Sequence, residues 1–317
     1  MGKLDILAKE YMRQPAVFAD VFNQFLYHGR QIIVPARLTE LDTTEIAIPY
    51  GTDHAFVPEQ RYRDAVKTLM AMTDGTAAYC ILAVENEGKI NYAMPVKDGL
   101  YDFLQLSHQV TSAASLHRQS KSKEYKPSSD EFLSGFWKSD RLLPVVTVVV
   151  YFGAEDWDGP LSLREMYADC DDEILKYAAD YRINLIAPYA LSDHEIDGFQ
   201  TNLREIMRYI KYSKDKKKLQ QVINSENRFK SVEREAMEIM NAATNSKMKF
   251  TKGEEMVDVC VAIQGMMEDS KIEGRVEGSI LTCKEMGHSQ QDAKDYIMAK
   301  YGKTPQEADE LIKLYWK

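Results

Sequence analysis

Apolar side chains at Val17, Phe18, Val21, Phe22, Phe25 and Leu26 recur three and four residues apart, which marks one buried face of a helix. Pro15 suits the first turn of that helix, and Gly29 suits its stop. TTEIAI (43–48) alternates and reads as a short strand. RYRDAVKTLMA (61–71) and AAYCILAVENE (77–87) read as two further strands, joined through TDGT (73–76), where Asp-Gly is a hairpin turn signal. Residues 92–117 read as a helix with Leu100, Phe103, Leu104 and Val110 on its inner face. HRQSKSKEYKPSSD (117–130) is polar and reads as a loop. LPVVTVVVYFG (143–153) is β-branched and apolar at consecutive positions, the pattern of a strand buried on both faces and central in a helix-covered sheet. INLIAP (183–188) reads as another strand. From about residue 195 the pattern is helical, through segments such as TNLREIMRYIKYSKDKKKLQQVI, ENRFKSVEREAMEIM, EEMVDVCVAIQGMMEDS and QDAKDYIMAKY, with no tandem repeat beyond the short echo EGRVEG (273–278). The class is therefore α/β: a central β-sheet covered by helices over residues 1–195, followed by a helical region over 196–317.

The hairpin predicts chemistry through its register. If Asp74-Gly75 is a two-residue turn, Thr73 faces Thr76, and the same ladder carried back sets Asp64 directly opposite Glu85. Directly opposed residues share a face with Cβ atoms roughly 4.5–5.5 Å apart, and like charges there destabilise the pair unless something offsets them. A divalent cation offsets them, and oxygen donors suit Mg2+ or Mn2+. A metal so held polarises a phosphodiester and activates a water. Glu87 and Lys89 fall on the strand face of Glu85, and a lysine there orients the water or balances developing charge. The alternative is that these are solvated strand charges. A one-residue bulge would separate the two acids onto opposite faces.

Composition narrows the partners. Of 317 residues, 44% are hydrophobic and 28% charged, an ordinary globular balance. The net charge of −9 excludes a wholly basic nucleic-acid coat but leaves room for a local basic patch. The longest apolar run, Leu142 to Phe152, is interrupted by Pro144 and Thr147 and falls short of a membrane span. The opening MGKLDILAKEYMRQ lacks the apolar segment of a signal peptide, and Ile6 stands where a myristoylation motif has Ser or Thr. Cys80, Cys170, Cys260 and Cys283 are scattered, as in a reducing cytoplasm, and neither they nor the six histidines have metal-ligand spacing. Any metal then falls to carboxylates.

Asp64, ILAVENEGKINYAMPVKDGLYD and SGFWKSDRLLPVVTVVVYFGAEDWDGPLSLREMY together resemble the recombination-promoting nuclease/putative transposase family of the PD-(D/E)XK nuclease superfamily. FADVFNQFLYHGRQII, LDTTEI and the tail EGRVEG add to the resemblance, which spans about residues 15–280. It implies a restriction-endonuclease-like sheet and a Mg2+-dependent DNA endonuclease. In such folds an acid on one strand and an acid two residues before a Lys or Gln on the next hold the metal. Those acids map onto Asp64 and Glu85, with the Asn86 carbonyl as a further ligand and Asp20 of the first helix in support. Tyr101 and Gln105 fall where the family has residues near the site, and Lys97 stands where it tends to have arginine. The family usually shows Glu-Asn-Gln, whereas this chain has Glu85-Asn86-Glu87. An ionised glutamate donates no hydrogen bond, so Glu87 reads as an extra ligand or general base. The alternative is a nuclease-fold protein that binds DNA or a protein without cutting.

Residues 207–230 hold eight basic and two acidic residues. Such a stripe suits phosphate contact, through Arg208, Lys211, Lys214, Lys216, Lys217 and Lys218. Two cuts need two sites, so a homodimer is expected by analogy. Trp157, in DWDG, reads as an aromatic plug under a loop.

Overall fold

A computed structural model describes residues 3–41, 69–84, 90–119, 126–251 and 253–316. The chain divides into two compact units, one of residues 1–222 and 233–246, the other of 223–232 and 247–317.

The first unit opens with α1 (Lys3–Met12) and α2 (Pro15–Tyr27). Val17, Phe18, Val21 and Phe22 are buried as their spacing predicts, and the helix ends at a left-handed His28 followed by Gly29. The sheet comprises β1 (Thr39–Glu40), β2 (Leu69–Thr73), β3 (Ala78–Val84), β4 (Val145–Tyr151) and β5 (Leu185–Ile186), in that spatial order. Pairing is antiparallel from β1 to β3 and parallel from β3 to β5, so the sheet is mixed and β4 is an inner strand. Between β3 and β4 the chain crosses over through α3 (Met94–Gln119) and the short α4 (Ser129–Ser134), as two parallel neighbours require.

Helices cover both faces. Phe22 of α2 meets Tyr79 of β3 at 5.0 Å between ring centres. On the opposite side Met94, Tyr101 and Leu104 of α3 pack with Cys80, Val149, Tyr151 and Ile183. Alternation along the strands produces this partition: Tyr79 turns one way, while Cys80, Val149 and Tyr151 turn the other.

The hairpin departs from the expected two-residue turn. Thr73 pairs with Ala78 and Leu69 with Leu82, so residues 74–77 form the loop. Side chains cause the widening. Asp74 Oδ1 accepts from the Thr76 N–H at 2.9 Å and the Thr76 hydroxyl at 2.6 Å, and the Thr73 hydroxyl donates to the Ala77 carbonyl at 2.6 Å. The register that set Asp64 directly opposite Glu85 is thus displaced by two positions in the described ladder. Both acids, and the strand predicted at 43–48, lie outside the described residues. An even displacement keeps the alternation of faces and changes only which residues are directly opposed.

Helix α3 inverts the expected orientation. Leu100 and Phe103, predicted inside, are 43% and 66% exposed, whereas Asp98, Tyr101, Asp102 and Gln105 are buried. Leu104 is buried as predicted. In this helix the polar stripe faces the sheet.

Beyond β5, the first unit adds α5 (Asp172–Leu175, before β5 in the chain), α6 (Asp193–Asp197), α7 (Leu203–Tyr212), the start of α8 (Lys216–Ser225) and α9 (Arg234–Thr244). Helix α9 packs against α1 and α7. The predicted helix over 201–223 is two helices, because Ser213 closes α7 and the Asp215 carboxylate accepts from the N–H groups of Lys217 and Lys218 to start another.

The second unit contains α10 (Val259–Glu285), α11 (Gln290–Tyr301) and α12 (Pro305–Tyr315). Helices α11 and α12 are a tandem pair that the sequence reading missed. Ser289 and Asp292 form a capping box, as do Thr304 and Glu307 fifteen residues on. Ala293 and Ala308, and Ile297 and Ile312, occupy matching buried positions against Val276 and Ile280. Among the described residues no helix is long and apolar enough to cross a membrane.

Candidate functional site

Between α3 and the sheet lies a group of buried polar side chains. Asp98, Tyr101, Asp102 and Gln105 follow one another at helical spacing and share the inner face of α3. Asp102 accepts hydrogen bonds from the Thr147 hydroxyl on β4 and from the Tyr181 hydroxyl. Tyr181 approaches closely because Gly99 has no side chain: a Cβ there would lie 3.2 Å from its ring. Asp98, one turn earlier, is 1% exposed and neither carboxyl oxygen has a hydrogen-bond partner.

Electrostatics separate the two acids. Burial, and after it the neighbouring Asp102, push the Asp98 carboxyl up to about 8, so it is protonated at neutral pH. Burial also raises Asp102, opposed by its two hydroxyl donors. Burial and then Asp102 push the Cys80 thiol up to about 12, which leaves it inert. A neutral carboxylic acid in a low-dielectric core can hold a proton or donate a hydrogen bond. Asp98, Asp102, Thr147 and Tyr181 were missed by the sequence reading, although the stripe from Asp98 to Gln105 was there to find.

The predicted site residues fall into distinct places. Asp64, Glu85, Asn86, Glu87 and Lys89 lie outside the described residues. Val84 ends β3, and the chain is described again from Ile90. There, Tyr92 donates to Asp158 at 3.0 Å, and Ile90 packs in the cluster that also holds Trp157. Trp157 meets Tyr151 edge-on at 5.4 Å and donates to the Gly159 carbonyl at 2.8 Å, so it plugs the loop after β4 as expected. Residues 90–92 and the DWDG loop are therefore joined in space.

Asp20, expected to support the metal, has its carboxylate committed elsewhere. It accepts from the Gln200 N–H at 3.0 Å, the Thr201 N–H at 2.8 Å and the Thr201 hydroxyl at 2.6 Å. That ties α2 to the approach of α7. Among the described residues no group of three His, Cys, Asp or Glu side chains could hold a metal ion.

The expected DNA contacts divide as well. Tyr101 and Gln105 are 1% and 3% exposed and offer no surface to a duplex. Lys97 is half-buried, 5.9 Å from the Tyr101 ring centre, and burial lowers its pKa against an opposing pull from Asp5. Arg208 is buried and donates to the Asp193 carbonyl and Asp197, while Lys211 pairs with Asp193 at 2.8 Å and Lys214 with Glu155. The uniform stripe expected over 207–230 is thus partly spent on internal ion pairs. Lys216, Lys217 and Lys218 are exposed at the start of α8. No family model, curated protein or solved structure matches this chain.

Proposed function

We propose that this protein is a metal-dependent DNA endonuclease of the recombination-promoting nuclease type on a restriction-endonuclease-like sheet, with Asp64 and Glu85 as principal acids. The observation that carries the reading is the contact between Ile90 and Tyr92, just after the most family-like stretch, and the DWDG loop of the second. The chain that follows Lys89 is pinned at Ile90 and Tyr92 against Trp157 and Asp158, beyond the end of β4. A mixed sheet with helices on both faces is the coarse architecture this reading requires.

The donor types fit a hard cation: two carboxylates and the Asn86 carbonyl suit Mg2+ or Mn2+. Asp20 fits poorly, because three donors already occupy its oxygens, and we leave it out of the ligand set. When bound, the ion supplies an activated water and a Lewis acid. In this reading Lys89 balances charge at the scissile phosphate and Glu87 accepts a proton from the attacking water. Lys216 to Lys218 grip the backbone without reading sequence. Glu87 in place of the family's Gln favours a second reading, a protein that binds DNA without cutting. A crystal soaked in Mn2+ tests the assignment: anomalous density between Asp64 and Glu85 upholds it, and an ion bound elsewhere in the same crystal, with those oxygens diverging, removes it.

A further inference from the structure

Helix α4 presents Phe132 and Leu133 to solvent at 76% and 81% exposure, side by side on a six-residue helix. Two neighbouring apolar side chains this exposed make a small apolar point, the kind of surface that an interaction can use. The tip that carries them is rigidly braced. Ser128 and Glu131 form a capping box, and Glu131 also accepts from the Lys138 N–H at 3.0 Å. Gly135 closes the helix at φ +71°, where a Cβ would come within 2.7 Å of Ala114. The His117 ring stacks on Trp137 at 3.6 Å, and Asp140 accepts from the Trp137 N–H at 2.7 Å and contacts His117 at 2.8 Å.

Charge around the tip is lopsided. Arg118, Lys126, Lys138 and Arg141 are exposed. Glu131 and Asp140 are engaged within the brace, so Asp130 is the exposed carboxylate of described residues 126–141. In a protein of net charge −9 this is a local excess of positive charge in the stretch that carries the two apolar side chains, although Arg141 also donates to the Lys138 and Asp140 carbonyls.

We propose that Phe132 and Leu133 form a wedge that enters duplex DNA between two base pairs, with the four cations on the flanking phosphates. The proposal rests on the DNA-acting reading above. Apolar wedges of one or two side chains unstack a base step and kink the duplex, and phosphate contacts supply the affinity. A rigid tip suits this, since a soft one would fold back rather than unstack bases. One Phe and one Leu are a small anchor for a lipid surface, where stable attachment takes more apolar area or a second signal.

The test uses the full chain in EDTA with duplexes carrying 2-aminopurine at TA and CA steps. Binding is expected to raise the fluorescence at one step. The Phe132→Ala/Leu133→Ala variant should keep its Tm, lose that rise and bind about tenfold more weakly, while Phe132→Trp should retain both. A double variant that binds and perturbs the duplex like the parent overturns the wedge and leaves DNA binding intact. So does an unaltered duplex signal accompanied by loss of binding to phosphatidylserine vesicles, or by loss of a concentration-dependent dimer. Absence of any duplex binding by the parent overturns wedge and DNA-acting reading together. A perturbed duplex that the parent and Glu87→Gln both leave uncut in Mg2+ and in Mn2+ upholds the wedge and removes the nuclease.

Discussion

Asp98 and Asp102 stand one helical turn apart on the buried face of α3, yet only Asp102 is hydrogen-bonded, by Thr147 and Tyr181. The engaged acid locks the crossover helix onto β4. The bare one is tolerated because it is neutral.

That difference predicts a pH dependence of stability. The Asp98 pKa is raised in the folded state to about 8 by burial and then by Asp102, from an unfolded value near 3.8. Between those values the native state binds more protons than the unfolded state, so stability falls as pH rises. The contribution is full below about pH 4 and lost on passing through about pH 8. Asp98→Asn, uncharged throughout, should flatten this decline. Thermal melts from pH 5 to 9 should show the parent losing several degrees, roughly, relative to the variant at the alkaline end.

Removing a donor from Asp102 should cost more than its apparent weight of one hydrogen bond. Tyr181→Phe or Thr147→Val leaves a buried carboxyl oxygen unsatisfied, a penalty of about 1–3 kcal/mol. Urea denaturation reads this as a lower midpoint with an unchanged slope.

Asp20 separates scaffold from chemistry. Asp20→Asn weakens acceptance from Gln200 and Thr201 and should lower stability by about 1–3 kcal/mol; under the nuclease proposal it should not move the Mg2+ concentration at which cleavage is half-maximal. A large shift in that concentration would return Asp20 to the metal.

The basic residues should likewise sort by their partners. Lys216→Ala/Lys217→Ala/Lys218→Ala should weaken DNA binding and reduce its log–log salt slope by up to about 3, with little change in Tm. Arg208→Ala should instead lower Tm, because it removes a buried guanidinium that donates to the Asp193 carbonyl and shares Asp197 with Arg204.

Some of this was legible in the sequence and some was hidden for definite reasons. Strand β4 reads plainly, since six consecutive positions from Val145 are β-branched and both faces are buried. Helix α2 reads from its apolar spacing and Pro15. The orientation of α3 does not, because periodicity arguments assume an apolar inner face and place Leu100 and Phe103 inside. The true inner stripe carries Gln105 and the two acids Asp98 and Asp102, of which protonation makes the first tolerable and hydroxyl donors the second. The hairpin misleads for a local reason: Thr73 and Asp74 bind the backbone of their own loop, so Asp-Gly is not a two-residue turn. The tail repeat escaped because its matching positions are caps and single Ala and Ile residues rather than identical words. The resemblance pointed to Asp20, whose role as an acceptor for residues 200–201 depends on a contact 180 residues away along the chain.

The most direct measurement is cleavage of supercoiled and linear duplex DNA by the full chain in EDTA, Mg2+ and Mn2+, compared among the parent, Asp64→Ala, Glu85→Ala and Glu87→Gln. The nuclease account predicts strand breaks only with metal, a loss of about a hundredfold or more in either alanine variant, and equal or greater cutting by Glu87→Gln. Folded parent and Glu87→Gln proteins that bind DNA but leave it whole in both metals, or breaks that persist in Asp64→Ala and Glu85→Ala, would contradict it.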